Sequence, residues 1–406
     1  MRENRLLTKE RDENMKVKIS LFYLFLFLAM GACMPYMSLF FQERGFDGRE
    51  IGQILAVGSL TSIIAQPIFG MMNDMLKDYR TMLKISSLLS AIIAFAFFFS
   101  PNFGFMIFTA VLFAFINTPA SPLLDTLAVE RGPEFGFSYG EVRVWGAIGY
   151  ALSTVIAGYV FSKISFQYIW MVFSGFSLLM FLLVFMFPKW ERDKSKAFTN
   201  KNALREIFKN GRFLFFISIT MLLSITVTMN FSYLPIYFQK LGYPEHLVGW
   251  NFSIAAAVEI PLFWLSVKFI RKFGLFPMLI FATFAYAIKY IVMGFALPLS
   301  VVLAVQALDG VAFAFYFSAA VEIVNLMAPE GTKTTAQTVF AAAGGIAGII
   351  ANLIGGILIE SQGPAFLFLM MGGIGIFAAI LFMFFQKMYN PNRTRSYNVE
   401  SLKIDQ

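Results

Sequence analysis

Long apolar stretches follow one another along almost the whole chain, and short polar segments separate them. Most stretches approach or exceed the length of about 20 residues that an α-helix needs to cross the hydrocarbon core of a bilayer. A helix is favoured in lipid because it satisfies its own backbone polar groups. The pattern predicts twelve transmembrane helices, near residues 17–41, 49–72, 82–100, 103–129, 141–161, 166–187, 213–239, 247–270, 277–297, 299–327, 336–360 and 363–387.

Basic residues are concentrated in the loops on one side of these helices. The longest loop, 188–212, contains Lys189, Arg192, Lys194, Lys196, Lys201, Arg205, Lys209 and Arg212. The segment near 268–272 and both termini are also basic, and an even number of spans puts all of them on the same side. Because cytoplasmic loops carry the excess of Lys and Arg, we expect a multi-pass protein of the plasma membrane with both termini in the cytoplasm.

Composition excludes several classes of protein. Of the 406 residues, 58% are hydrophobic and 14% are charged, whereas a soluble domain carries about 25% charged residues. This composition excludes a soluble enzyme, a disordered chain and a fibre. The net charge of +8 lies in the loops that set topology, so nucleic acid is not an expected partner.

The residues needed for metal or nucleotide chemistry are scarce. Cys33 and His246 are the only residues of their types, and no Gly-Lys-Ser/Thr phosphate loop occurs in the sequence. A metal site built on His and Cys would need several such ligands, and ATP binding would need the phosphate loop. We therefore expect no metal, no cofactor and no enzymatic activity.

An internal repeat appears when the chain is compared with itself at one constant offset. The aligned pairs are Tyr36 with Tyr233, Gln42 with Gln239, Gly45 with Gly242, Gly52 with Gly249, Asp125 with Glu322, and Gly158 with Gly355. The repeat predicts two pseudo-symmetric six-helix bundles, residues 1–187 and 213–406, joined by a basic cytoplasmic linker at 188–212. In such a design the substrate site lies between the halves, and alternating access comes from rocking one half against the other.

The segment after the second predicted span resembles a characteristic loop of the major facilitator superfamily. It contains Gly70, Asp74 and Arg80, and the resemblance implies that these residues bridge helix ends and gate the cytoplasmic side. A capped turn with solvated charges is the alternative interpretation.

A second resemblance, to the lactose-permease and phenylpropionate-permease-like branch of the same superfamily and its nucleoside-permease relatives, covers the whole chain. It rests on the sequence Gly140 to Tyr150 and on Asp125. The resemblance implies the major facilitator fold and a substrate held by Asp125 and Arg143, with Tyr150 as a stacking surface. Tyr36 and Tyr233 are further candidates for the cavity wall. A latch between the fourth and fifth spans is the rival interpretation of Asp125 and Arg143.

Three charged residues lie near the middle of predicted spans: Glu259, Lys289 and Asp309. A charge at the bilayer centre costs at least about 2.5 kcal/mol, so such residues mark functional sites by default. When all three are ionised, one negative charge remains uncompensated, and a single proton would neutralise the set. We expect these residues to couple transport to protons, with Asp309 as the carrier. A structural ion pair is the alternative.

The favoured interpretation is a proton-coupled symporter that imports a small polar organic solute, namely a sugar or glycoside, by alternating access. Uptake of an aromatic carboxylate or a nucleoside is the first alternative, and a multidrug/proton antiporter is the second. The expected partners are the solute, protons and the lipid bilayer. We expect the protein to work as a monomer.

Overall fold

The computed structural model describes residues 2–75, 79–100, 102–187, 203–329 and 332–389, and within these ranges all regular structure is helical. The α-helices are α1 (Arg2–Cys33), α2 (Met37–Glu43), α3 (Gly48–Met75), α4 (Tyr79–Phe98), α5 (Phe103–Asn117), α6 (Ala120–Arg131), α7 (Tyr139–Phe161), α8 (Ile169–Val184), α9 (Ala203–Lys209), α10 (Gly211–Lys240), α11 (Leu247–Phe273), α12 (Leu275–Gly294), α13 (Leu299–Val305), α14 (Ala307–Met327), α15 (Lys333–Ser361) and α16 (Gly363–Met388).

Twelve segments of the described chain are long and apolar enough to cross a membrane. Their number and positions confirm the spans predicted from hydropathy and the all-α class. The short helix α9 belongs to none of them and lies in the predicted linker, whose residues 188–202 fall outside the described part of the chain.

The tenth span is interrupted where the sequence predicted a continuous helix. α13 ends at Val305 and α14 begins at Ala307. At the break, the Gln306 side-chain amide donates a hydrogen bond of 2.9 Å to the Val302 carbonyl, while the Gln306 backbone N–H bonds to Leu303 instead. The side chain thus occupies the carbonyl that an uninterrupted α-helix would use. The break places Asp309 in the first turn of α14.

The chain folds into two compact units. The first unit contains residues 1–197 together with 232–253 and 352–360. In it α1 packs against α7 and α8, α4 against α8, and α3 against α5. A buried apolar cluster that includes Phe22, Leu124, Val142 and Val184 joins α1, α6, α7 and α8.

The second unit contains residues 198–231, 254–351 and 361–406, and its α12 packs against α14 and α16. Gly372 and Gly375 on α16 let that helix approach Ile291 and Ala287 of α12 closely. The segments 232–253 and 352–360 come from the second sequence repeat but belong to the first unit. The division into halves at 1–187 and 213–406 rests on the sequence repeat and stays a prediction.

Candidate functional site

Asp125 lies on α6 and accepts hydrogen bonds from side chains of two other helices. The hydroxyl of Tyr23 on α1 lies 2.7 Å from Asp125 Oδ1, and the hydroxyl of Tyr139 on α7 lies 3.2 Å from the same oxygen. Asp125 Oδ2 has a longer contact, 3.4 Å, with Ser121 Oγ. A carboxylate oxygen accepts about two hydrogen bonds, so Oδ2 retains the capacity to accept another.

Arg143 lies on the first turns of α7, close to the same tyrosines. The helix start is fixed by Glu141, whose carboxylate accepts a hydrogen bond of 3.2 Å from the Ser138 backbone N–H. The Arg143 guanidinium carbon lies 4.2 Å from the Phe27 ring centroid and 5.8 Å from that of Tyr23. A cation–π contact of this kind uses the face of the guanidinium. The N–H groups at its edge can still donate hydrogen bonds.

The structure brings Asp125 and Arg143 together through Tyr139. Tyr139 donates to Asp125 and also forms a side-chain hydrogen bond with Arg143. Among the described ion pairs, none joins the two charges directly. The physical reason is that Tyr139 precedes Arg143 by about one helical turn, so its hydroxyl occupies the space between them.

Tyr150 follows two turns after Arg143 and is half-buried. Its backbone carbonyl accepts a hydrogen bond of 3.2 Å from Ser153 Oγ and lies where a Cβ on Gly31 of α1 would clash. The close approach of α1 and α7 therefore fixes the position of Tyr150 within the first unit.

Tyr36 and Tyr233 do not lie on an open cavity wall, which corrects the expectation drawn from the sequence. Both are 0% exposed. Tyr36 donates its hydroxyl hydrogen to the Thr154 carbonyl, and Tyr233 donates to the Asn352 carbonyl. Their hydroxyl groups bond to backbone carbonyls of neighbouring helices, because a buried hydroxyl needs a hydrogen-bond partner.

These two tyrosines mark two seams between helix ends in the first unit. In the first seam, a Cβ on Gly249 of α11 would clash with the Thr154 carbonyl and the Tyr36 hydroxyl. In the second seam, a Cβ on Gly52 of α3 would clash with the Asn352 carbonyl. The repeat aligns Tyr36 with Tyr233 and Gly52 with Gly249, so the seams follow the repeat.

In the second unit, Lys289 and Asp309 form a buried ion pair. Lys289 Nζ on α12 lies 2.7 Å from Asp309 Oδ1 on α14, and the two side chains are 0% and 19% exposed. Asp309 also lies at the helix N-terminus, where the backbone dipole favours negative charge. The contact brings together two of the three charges that the sequence placed near the middle of the membrane.

Glu259 lies at the same level of the bundle. A Cβ on Gly310 of α14 would clash with the Ala255 carbonyl and would lie 3.0 Å from the Glu259 backbone nitrogen. α11 and α14 therefore approach each other beside Asp309, and Tyr286 interacts electrostatically with both Asp309 and Glu259. The structure thus brings the three predicted intramembrane charges to one region.

The predicted gating residues lie at the ends of α3 and α4. Gly70 and Asp74 belong to the last turns of α3, which continues to Met75, instead of the loop that the sequence predicted. Methionine is a good helix former, so the Met-rich segment extends the helix. Arg80 on α4 donates a hydrogen bond of 3.0 Å from Nη1 to the Phe187 carbonyl.

Sequence reasoning missed three residues of the Asp125–Arg143 cluster: Tyr23, Phe27 and Tyr139. Tyr23 and Phe27 are four positions apart on α1 and therefore share one face. That spacing was visible in the sequence. Nothing in the sequence showed that this face of α1 packs beside Arg143.

Comparison with known proteins gives a consistent picture. A model of the MFS_1-like family matches residues 16–370. The maltose permease of Geobacillus stearothermophilus is 26% identical over 347 residues, covering 85% of this chain and 88% of the relative. The probable 3-phenylpropionic acid transporter of Escherichia coli is 23% identical over 294 residues, covering 71% and 77% of the two chains.

Among solved structures, that of the nucleoside transporter NupG has a TM-score of 0.83 and 19% identity, covering 92% of this chain and 99% of that one. This likeness concerns the fold. The family match covers most of the chain and confirms the resemblance drawn from the sequence motifs. The chain therefore belongs to the MFS_1-like family and is a multi-pass membrane transporter of the major facilitator superfamily, not an enzyme.

Proposed function

We propose that this transporter is a proton-coupled symporter that imports a small polar organic solute, a sugar or glycoside, by alternating access. The observation that carries the proposal is the buried Lys289–Asp309 pair, 2.7 Å long and accompanied by Glu259. The set of Lys289, Asp309 and Glu259 carries one net negative charge when all three are ionised, and it becomes neutral when it takes up one proton. This property is what proton coupling requires.

The solute would be bound by the cluster around Arg143. Arg143 offers in-plane N–H donors while its face rests on Phe27. Asp125 offers Oδ2 as an acceptor while Tyr23 and Tyr139 hold Oδ1. Sugar hydroxyls both donate and accept hydrogen bonds, and bonds to charged groups are stronger than neutral ones. Tyr150 supplies an aromatic face for the ring.

Proton coupling would work through the state of the Lys289–Asp309 pair. When Asp309 gains a proton, its attraction to Lys289 falls, and the contact between α12 and α14 weakens. Glu259 would provide a second protonation site near α14. One proton removes the net negative charge of the set formed by Lys289, Asp309 and Glu259, and a region without net charge is less costly to move through a dry interior.

A sugar is favoured over an aromatic carboxylate because the Asp125 cluster contains a carboxylate and three hydroxyl groups, which suit a neutral polyhydroxylated ring. The similarity to a maltose permease supports the same choice. A nucleoside is the second candidate because its ribose also carries hydroxyls and its base could stack on Tyr150. A multidrug antiporter is disfavoured because this charged cluster suits hydrophilic solutes.

Uptake into liposomes containing the purified protein tests the proposal. Radiolabelled maltose, uridine and 3-phenylpropionate are each presented with an inward proton gradient, an inward sodium gradient or no gradient. We expect maltose to accumulate above its external concentration with the proton gradient alone. A collapse of that gradient by a protonophore should abolish accumulation and leave exchange. Accumulation driven only by sodium, or of 3-phenylpropionate alone, would refute the proposal.

The transporter is proposed to act as a monomer in the cell membrane with both termini in the cytoplasm. The basic loops support this orientation. A C-terminal epitope tag on intact cells should be inaccessible to antibody and become accessible after permeabilisation. Labelling of the tag on sealed cells would contradict the orientation. Transport by liposomes that each contain a single protein molecule would establish that the monomer is functional.

A further inference from the structure

Two pockets lie beside the two seams, on the membrane side opposite the N-terminus. The predicted topology makes this the outer side. The larger pocket has a volume of about 470 Å³ and the smaller one about 200 Å³, and the residues of both belong to the first unit. The repeat relates them, since Gln239 and Tyr243 in the larger correspond to Gln42 and Phe46 in the smaller. Ligand pockets typically occupy about 300–1,000 Å³, so only the larger has this size.

The larger pocket combines aromatic rings with polar groups. Its chemically important residues are Tyr159, Lys163, Gln239, Tyr243, Glu245 and His246. Lys163 Nζ donates a hydrogen bond of 2.6 Å to the Tyr159 hydroxyl, and Gln239 Nε2 donates one of 3.1 Å to Glu245 Oε1. The His246 ring meets the Tyr159 ring edge-on, with centroids 6.3 Å apart.

The hydrogen-bonding capacity of these groups exceeds the bonds that they form with each other. Lysine has three N–H donors, and a carboxylate accepts about four hydrogen bonds. Burial and the neighbouring Glu43 raise the pKa of Glu245, while the bond from Gln239 opposes the rise. A hydroxyl donor arriving at Glu245 would therefore stabilise a carboxylate that the protein solvates poorly.

The smaller pocket differs because its charged groups bond to the protein itself, and one of them, Asp47, accepts a hydrogen bond of 2.8 Å from the Glu50 backbone N–H. Lys240 Nζ lies 3.6 Å from Glu360 Oε2 and 3.0 Å from the Ile359 carbonyl. Glu360 also accepts from the Gly48 backbone N–H at 3.3 Å. Phe46 replaces the tyrosine of the larger pocket and packs against Phe103. These groups serve the protein's own structure, and the pocket is smaller than a typical ligand site.

We infer that the larger pocket is a second binding site for a polyhydroxylated ring solute, separate from the Arg143 cluster. The ring would stack on Tyr243 or Tyr159, and its hydroxyls would bond to Glu245, Gln239 and Lys163. The inference rests on the proposed function, because the solute is of the same class as the transported one. Aromatic stacking combined with a few convergent polar groups is the usual composition of a small-molecule site.

Occupancy of this site has a mechanical consequence. Tyr159 and Lys163 lie at the end of α7, whereas Gln239 to His246 lie between α10 and α11. The first seam joins the same two segments, since Gly158 lies against the His246 carbonyl and Gly249 against the Thr154 carbonyl. A solute that bridges both walls holds the seam closed, and alternating access requires helices to separate on the outer side. Bound solute therefore slows uptake at high external concentration.

Uptake kinetics test this inference in cells that express the full chain. Initial rates are measured with maltose and with uridine from low to high external concentration. We expect the rate to rise, reach a maximum and then fall. The variant Tyr243→Ala with Gln239→Ala should raise the inhibition constant about tenfold, the effect of losing one aromatic contact. Rates at low concentration should stay unchanged.

A matched control comes from the repeat. Phe46→Ala with Gln42→Ala changes the corresponding positions in the smaller pocket and should leave the inhibition as it is. Glu245→Gln keeps the side-chain shape and should raise the inhibition constant, which guards against misfolding of the double variant. Calorimetry of the purified protein should resolve two binding sites in the wild type and one in Tyr243→Ala with Gln239→Ala. Arg143→Lys should weaken the other site.

These experiments distinguish a failure of the second-site inference from a failure of the proposed function. Transport of maltose or uridine with simple saturation and one binding site would overturn the second site and leave the proposed function intact. Inhibition that persists in both Glu245→Gln and the double variant would overturn it as well. Transport of neither probe by the wild type would refute the proposed function and the second site together.

Discussion

The two charged clusters of the transporter differ in what surrounds their charges. In the first unit, Asp125 and Arg143 are bridged by Tyr139 and lie partly exposed among aromatic rings. In the second unit, Lys289 is 0% exposed and bonds directly to Asp309. Neutral hydroxyls leave the charge of Asp125 uncompensated, whereas in the direct buried pair each charge compensates the other. The first arrangement suits recognition of a hydroxylated solute, and the second changes only when a proton is added or removed.

The strongest test of this difference is Asp309→Asn, which imitates the protonated acid permanently. We expect it to reduce gradient-driven accumulation to the equilibrium level, because the coupling proton can no longer be released. Exchange of labelled for unlabelled solute should continue, since exchange needs no deprotonation. Both quantities are measured in liposomes with and without an imposed pH gradient.

Glu259→Gln is the control for the Asp309→Asn variant. It removes the second acid of the region without touching the pair, and we expect it to reduce accumulation less. Normal accumulation in Asp309→Asn would exclude Asp309 as the proton carrier. Normal accumulation in both variants would make the cluster structural.

The next largest expected effect is on the free energy of unfolding. Removing one partner of a buried ion pair costs about 3–5 kcal/mol, because the other charge remains uncompensated. Asp309→Asn should therefore unfold at a lower temperature in detergent, and Lys289→Met added to it should restore most of the loss. Asp125→Asn, in the cluster held by neutral hydroxyls, should cost only about 1 kcal/mol. Equal losses for Asp309→Asn and Asp125→Asn would contradict the contrast between the clusters.

Arg143→Lys tests solute recognition. The change keeps the charge but removes the planar arrangement of donors and the stacking on Phe27. We expect solute affinity to fall about tenfold to a hundredfold, as for the loss of a hydrogen bond to a charged group. Calorimetry of the purified protein measures this. A latch between α6 and α7 would instead alter transport rates while affinity stays intact.

The smallest expected effect concerns the bridging hydroxyl. Tyr139→Phe removes the group that links Asp125 to Arg143 and should lower solute affinity about fivefold, the worth of one hydrogen bond. Tyr23→Phe is the matched control: it removes the other hydroxyl on Asp125 but not the link to Arg143, and it should have a weaker effect on affinity. Equal effects of the two substitutions would mean that the bridge has no special role.

Several features of the site were predictable from the sequence because they depend on position along one helix. The depth of Glu259, Lys289 and Asp309 follows from the rise per residue, and the cost of burying them marks them as functional candidates. The sequence could not show that Lys289 bonds to Asp309 while Tyr139 separates Asp125 from Arg143. These contacts depend on which faces of neighbouring helices meet.

Tyr36 and Tyr233 are a second case in which the sequence did not predict the contacts of the side chains. The repeat singled them out, and their constant offset is real, but their side chains close helix seams instead of lining a cavity. The contacts also slip relative to the repeat: Gly355 aligns with Gly158 in sequence, yet Gly356 makes the close contact in the second seam. A slip of one residue rotates a helix face by about 100°, so an alignment at one constant offset does not identify the contact residues.

The sequence alone determined the number of spans, the all-α class and membership of the superfamily, because hydropathy and motif spacing are properties of consecutive residues. Only the tertiary structure decided that α3 extends to Met75, that the tenth span breaks at Gln306, and that the larger pocket contains a Gln239–Glu245 hydrogen bond while the smaller one contains a Lys240–Glu360 ion pair. These outcomes depend on helix phase and crossing, where a shift of one residue exchanges a buried contact for an exposed one.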